Sequence, residues 1–141
     1  MFRNAMALVF RSMPLASQMA LADFIVEGHF ASHLRRMREL YTERRDRFFD
    51  AAERVGAGLL QAEIPESGMN VVIWLPKGLD DREMAPHAVA AGVHCYPLSD
   101  YCVRPFRPGL VLGFTGVSLR QLVSGLRRLA DAVGEAASLG Q

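Results

Sequence analysis

Lysine is nearly missing from this sequence: of its 16 basic residues Lys77 is the one lysine, and fifteen are arginines. Chemistry that needs a side-chain amine therefore has a single candidate besides the N-terminus. Cysteine is also scarce. Cys95 and Cys102 have six residues between them, unlike the C-x-x-C pairs of redox and zinc sites, and read as free thiols in a reducing compartment. An excess of one charge sign is lacking too. The formal net charge is +1, which argues against a phosphate-tracking or membrane-surface protein. Long apolar runs are absent: the stretch 5–10 ends at Arg11, short of the roughly 7–15 residues of a signal-peptide core and the 18 or so of a bilayer span. The chain reads as soluble and cytoplasmic, with no membrane partner.

What is present suits a folded domain. Half the residues are hydrophobic and 22% are charged over 141 residues, a globular balance for a single domain. A chain of this size buries about two-thirds of its unfolded surface without disulfide or metal staples.

Periodicity then places the elements. Leu15, Met19, Ala22, Ile25 and Val26 recur at helical spacing until Gly28 stops the run. This short helix is apolar enough to need a packing partner. From His29 to Val55, one stripe carries Phe30, Leu34, Met37, Tyr41, Phe48, Ala52 and Val55. Its length, at 1.5 Å per residue, is about 39 Å. Glu43 with Arg47, and Asp50 with Arg54, stand at the favourable i,i+4 orientation. Seven arginines (35, 36, 38, 44, 45, 47 and 54) alternate with Glu39, Glu43, Asp46, Asp50 and Glu53. That interleaving marks a solvated face, and direct DNA binding by this chain is not expected.

The run 69–75, with Val71, Val72, Ile73 and Trp74, predicts a strand buried on both faces. Asp80 or Asp81 caps a helix to about Ala91. Residues 93–96 and 110–114 predict two further strands, separated by a loop rich in proline and arginine at 98–108. Ser118 caps a last helix whose stripe runs to Val133, and a tail frays from Gly134. The fold class is α/β of α+β character: a small three-stranded sheet covered by helices, preceded by a long amphipathic helix. Residues 1–14 stand apart from this pattern, 15–133 form the domain, and 134–141 the tail.

The sequence holds no G-x-G-x-x-G, P-loop or nucleophile elbow. His29 and His33 have a chelating i,i+4 spacing but no third ligand nearby. His94 and Cys95 are neighbours on a strand, so their side chains diverge. No metal site and no catalytic residue emerges. The 98–108 loop gathers Ser99, Asp100, Tyr101, Arg104 and Arg107 between two strands, where ligand-binding groups tend to sit. An arginine there suits bidentate capture of a carboxylate.

Several motifs together resemble a known family. They are Ala20, Leu21, Ala22, Asp23, Phe24 and Ile25; Gly28, His29 and Phe30; His33 through Arg38 with Tyr41; and Arg44, Arg45 and Asp46. Further on come Gly68, Met69 and Asn70; Trp74, Leu75 and Pro76; Gly78 through Asp81; Gly92 and Val93; Pro97, Leu98 and Ser99; and Leu110 through Phe114. This series resembles the C-terminal part of the fold type I pyridoxal-phosphate aminotransferase domain, in the variety carried by MocR-type transcriptional regulators of the GntR superfamily. The resemblance covers about 15–133.

It implies a whole protein with a winged helix-turn-helix that reads DNA, and an aminotransferase-like domain, dimeric, that senses pyridoxal phosphate or an amino compound. The long helix would join a large cofactor domain, missing from this chain, to the small one. The family's Schiff-base lysine follows a serine and precedes a Pro-Gly-x-Arg element, a motif that Lys77 lacks. No cofactor-binding residue is therefore assigned here. Aminotransferases of this fold carry a substrate-carboxylate arginine in the strand corresponding to 110–114. The aligned position is Val111, with Arg107 the nearest substitute and Arg104 the second. The expected function is the small-domain part of such a regulator, inactive alone and completed by the large domain or by self-association. A non-catalytic self-associating module and the small domain of a genuine aminotransferase are the alternatives.

Overall fold

In a computed structural model, residues 14–56, 58–65, 68–104 and 106–139 are described. They fall into two units, one ending at Leu40 and one beginning at Tyr41. The stretch set apart at 1–14 lies, except for Pro14, outside the described residues.

In the first unit Pro14 opens α1 (Leu15–Val26) without a side-chain cap. Gly28, at φ +80°, takes the left-handed turn that an L side chain resists. From there the chain enters α2 (His29–Val55), which begins in this unit and ends in the next. Phe24 meets the rings of His29 and Phe30 at 5.8 and 6.5 Å between centroids. None of the residues of α1 is buried.

In the second unit the apolar stripe of α2 buries Phe48, Ala51 and Ala52. Its polar side carries the expected contact between Glu43 and Arg47. Arg54, however, donates to the main-chain oxygen of Asp50 at 3.0 Å, not to its carboxylate.

The sheet has four strands in place of three. β1 (Gln61–Ala62), β2 (Asn70–Trp74), β3 (Tyr96–Pro97) and β4 (Gly109–Gly113) pair antiparallel in the order β1-β2-β4-β3. β1 has only two residues, too few for a periodic signal. β3 begins at Tyr96, later than expected for 93–96: the Val93 N–H donates to the Ala88 carbonyl at the end of the preceding helix at 2.9 Å, and pairing with β4 covers only Tyr96 and Pro97. β2 does not bury both faces. Val71 and Ile73 are buried, and Val72 and Trp74 are half-buried, the alternation of an antiparallel sheet.

Helix α3 (Asp81–Ala90) connects β2 to β3, and α4 (Leu119–Leu139) follows β4. Met84, Ala85 and Ala88 from α3, with Leu126, Leu129 and Val133 from α4, form one core with Val71, Ile73, Leu110, Leu112, Phe114 and Phe48. Each large apolar side chain buried in this way contributes about 1.5–3 kcal/mol. Ser118 and Gln121 cap α4 reciprocally, the Ser118 N–H donating to Gln121 Oε1 at 3.0 Å and the Gln121 N–H to Ser118 Oγ at 3.4 Å. The helix continues through Gly134, where the sequence suggests a frayed tail, to Leu139. Half-buried Ala136 packs against the core, and Ser138 Oγ donates to the Gly134 carbonyl at 2.9 Å. No helix among the described residues is long and apolar enough to cross a membrane.

Candidate functional site

The start of α3 settles which aspartate does what. Asp80 is the N-cap, accepting from the N–H groups of Arg82 at 2.8 Å and Glu83 at 3.3 Å. That leaves Asp81, one residue further, free of capping duty, and it is buried, at 2% exposure. Its Oδ1 accepts from Ser99 Oγ at 2.6 Å, and its Oδ2 from the N–H groups of Ser99 at 3.0 Å and Gly109 at 3.2 Å. Burial by itself would raise the pKa of this carboxyl. The bonds from Ser99 and Gly109 and the neighbouring Arg82 charge outweigh it and hold the group below the usual carboxylate value.

Between Ser99 and Gly109 runs the arginine-rich loop. A short 3-10 turn (Leu98–Tyr101) opens it, and Asp100 pairs with Arg82 at 3.0 Å. Arg104 is exposed and edges a cleft of about 350 Å³ lined also by Arg82, Ser99, Cys102 and Phe106. The loop then returns over the sheet face turned away from the core. Phe106 lies 5.8 Å from the Trp74 ring. The Arg107 guanidinium stands 5.3 Å from the Trp74 ring centroid and donates to Gln61 Oε1 at 2.7 Å. Trp74 in turn lies across Gly109, its register partner. A Cβ at Gly109 would come within 3.0 Å of Val72 Cγ1, 3.2 Å of the Ile73 carbonyl oxygen and 3.3 Å of Trp74 Cε3, so a side chain there would have to push these neighbours back by a few tenths of an ångström. Trp74 Nε1 is buried without a hydrogen-bond partner among the described residues.

Antiparallel register puts Val72, Val111 and Tyr96 in one row of this same face, next to the row formed by Gln61, Trp74 and Gly109. Arg107 and Val111 therefore belong to one side of the sheet. Arg104 borders the cleft beside Asp81 instead, so the two candidate arginines have different surroundings.

Other candidates are dispersed. His29 contacts Glu27 at 3.2 Å, and His33 Nδ1 lies 3.5 Å from Arg36. No group of three or more His, Cys, Asp or Glu side chains able to hold a metal occurs among the described residues. Cys95 is buried, which pushes its thiol pKa up, while His94 beside it is exposed. Lys77 is exposed in the 76–78 turn.

No protein-family model matches the chain. It is 38% identical over 119 residues to the probable rhizopine catabolism regulatory protein MocR of Rhizobium meliloti, covering 84% of this chain and 24% of that protein. It is 31% identical over 120 residues to aromatic-amino-acid aminotransferase 1 of Thermococcus litoralis, covering 84% and 29%. Among solved structures, the multiple substrate aminotransferase of Thermococcus profundus superposes with TM-score 0.75 at 31% identity, over 83% of this chain and 29% of the other. An α-aminoadipate aminotransferase of Thermus thermophilus reaches TM-score 0.83 at 25% identity, over 96% and 35%. The chain belongs to the fold type I aminotransferase family that includes the MocR-type regulators. It spans about a quarter of the length of the curated relatives it matches, so a larger domain completes them.

Within that aminotransferase-like frame, three groups at the site are not singled out for it by sequence reasoning. Asp81 is read as a possible cap, Trp74 as part of a buried strand, both also as parts of the motifs that carry the resemblance, and Gln61 not at all. The paired aspartates held one usable signal: once Asp80 caps the helix, its neighbour's side chain has no local donor left and must find one elsewhere.

Proposed function

We propose that this chain is the small-domain part of an aminotransferase-like regulator, contributing an arginine to a carboxylate site and a surface to self-association, and without catalysis of its own. One observation carries the reading: Arg107 is held over Trp74, on the sheet face that also carries Val111. Held by Gln61 and the indole, the guanidinium keeps part of its donor fork for a ligand carboxylate. Arg104, exposed at the neighbouring cleft, is the second such group.

The whole family's chemistry needs pyridoxal phosphate, which supplies an electron sink when bound. Holding it takes a lysine amine within reach of phosphate-binding groups. Lys77 stands exposed in its turn and is not among the residues lining the cleft beside Arg82 and Arg104. This donor set does not fit the cofactor. The large domain would supply those groups, and the DNA-reading head as well.

Arginine-specific modification tests the reading. Phenylglyoxal labelling of Arg107, followed by peptide mass spectrometry, is expected to slow in the presence of succinate. Equal rates with and without succinate would remove the carboxylate role. A visible absorption band with pyridoxal phosphate, lost in Lys77→Ala, would overturn the non-catalytic assignment. A second reading, self-association as the main role, is favoured by α1, where Leu15, Met19, Ile25 and Val26 are all half or more exposed.

A further inference from the structure

Both ends of the 99–109 loop are tied to one side chain. The first end meets Asp81 through the Ser99 N–H and hydroxyl, and the last through the Gly109 N–H. The arrangement is demanding. All three partners are donors, and only an ionised carboxylate can accept three bonds without presenting a donor of its own. Burying a carboxylate is costly unless it is matched in this way. Helix α3 does not need it, because Asp80 already serves the cap. What the buried charge gains is a junction of three elements: the start of α3, the turn at Ser99 and the start of β4.

We propose that Asp81 is a positioning residue that closes this loop and so sets where Arg107 stands over Trp74. Arg107 lies two residues before the tethered Gly109, so its Cα is fixed within about 7 Å of that anchor. The ring under it is placed by the same glycine, since Trp74 lies across Gly109. Gln61 fixes the guanidinium tip, while Asp81 holds the backbone that carries it together with the Leu75 N–H, which donates to the Pro108 carbonyl at 3.1 Å. The charged neighbours are occupied otherwise: Arg82 with Asp100, and Asp80 with the N–H groups of Arg82 and Glu83. The inference rests on Arg107 being the carboxylate-binding group proposed above.

The test uses the full 141-residue chain with Asp81→Asn, and with Ser99→Ala as a milder change should the first fail to fold. The first substitution sets an amide N–H against N–H donors, and the second removes only the hydroxyl bond. Trp74 is the one tryptophan, so acrylamide quenching of its fluorescence reports whether Phe106 and Arg107 still cover it. Phenylglyoxal rates at Arg107, relative to exposed Arg120 on α4, report the guanidinium itself. In folded Asp81→Asn we expect Arg107, already exposed and held only by Gln61 and the Trp74 ring, to react about twofold faster as a modest net hydrogen-bond contribution is lost. Ser99→Ala should show a smaller rise, and Arg120 none. An unchanged Arg107 rate and unchanged quenching in folded Asp81→Asn, or in Ser99→Ala where the former does not fold, would overturn the proposal. Succinate protection of Arg107 in the unaltered chain separates the two readings. Without that protection the carboxylate site fails and Asp81 is left as a loop staple only, which overturns its positioning role. With protection but no effect of the variants, the carboxylate site stands and the staple fails.

Discussion

Up to Leu40 the chain is rich in apolar side chains, and α1 buries none of them; from Tyr41 onward a comparable supply closes into a core. Val26 is 85% exposed in the first region, while Leu129 in the second has no exposed surface. Composition does not separate the two, but patterning does. Helix α4 concentrates Leu126, Leu129 and Val133 on one stripe and leaves arginines on the other side. Helix α1 places Leu21, Phe24 and Ile25 on one side and Leu15, Met19 and Val26 on another. A stripe is satisfied by one neighbouring surface, whereas a helix apolar on more than one side has to be enclosed.

The sharpest way to break that contrast is a matched pair of isoleucines. Ile73→Ala, at a fully buried position, is expected to cost about 2–5 kcal/mol through lost burial and the cavity left behind. Ile25→Ala, at 50% exposure in α1, should stay within about 0.5 kcal/mol. Urea unfolding of both variants measures the difference. Similar costs would mean that α1 is enclosed in solution.

The next effect belongs to the junction at Asp81. Asp81→Asn leaves buried N–H groups poorly matched and is expected to cost about 1–3 kcal/mol. The same group gives a pH dependence with a definite sign. Its carboxyl is held below the usual value in the folded chain, so the folded state favours the ionised form. That contribution is complete above the unfolded carboxylate pKa of about 3.9, and is lost as pH falls through the lower folded value. Denaturant midpoints measured from pH 6 downward should fall in the unaltered chain, and less steeply in Asp81→Asn. Equal slopes would remove Asp81 from the acid response.

Arg107→Ala comes third. An exposed cation over an indole contributes about 0.5–1 kcal/mol, so stability should change little while Trp74 becomes more accessible to quencher. Lysine at this position keeps the charge but loses the planar fork, and should recover only part of the protection.

These effects track what the sequence made legible. Helical stripes over 29–55 and 119–133, the Gly28 break and the apolar runs of β2 and β4 were readable because each repeats a period, marks a glycine stop or is a short apolar run bounded by turn residues. Two-residue β1 was not, for it has no period to repeat. The Asp81 junction joins positions 18 and 28 residues away, and local patterning carries no information at that range. Arg107 was readable as a candidate from its loop, but its partners Trp74 and Gln61 come from other strands. Only the register brings them together. The continuation of α4 past Gly134 was hidden by a small-residue stretch that looks like a tail, until Ala136 is seen against the core.

The smallest expected change in stability carries the most weight for the first region. Met19 is 59% exposed on α1 and Leu21 51%, so Met19→Glu combined with Leu21→Lys should move the folding free energy by no more than about 0.5 kcal/mol per site. Removing apolar area from a surface that closes only by association acts on assembly instead. At about 25 cal/mol per Å², two such side chains are enough to shift a dimerisation constant well beyond tenfold. Sedimentation velocity over a range of concentrations should therefore show the unaltered chain self-associated and the double variant monomeric, with matching far-UV circular dichroism. A monomer in both cases would mean that α1 tolerates exposure, and that the two regions differ in exposure without differing in what they need.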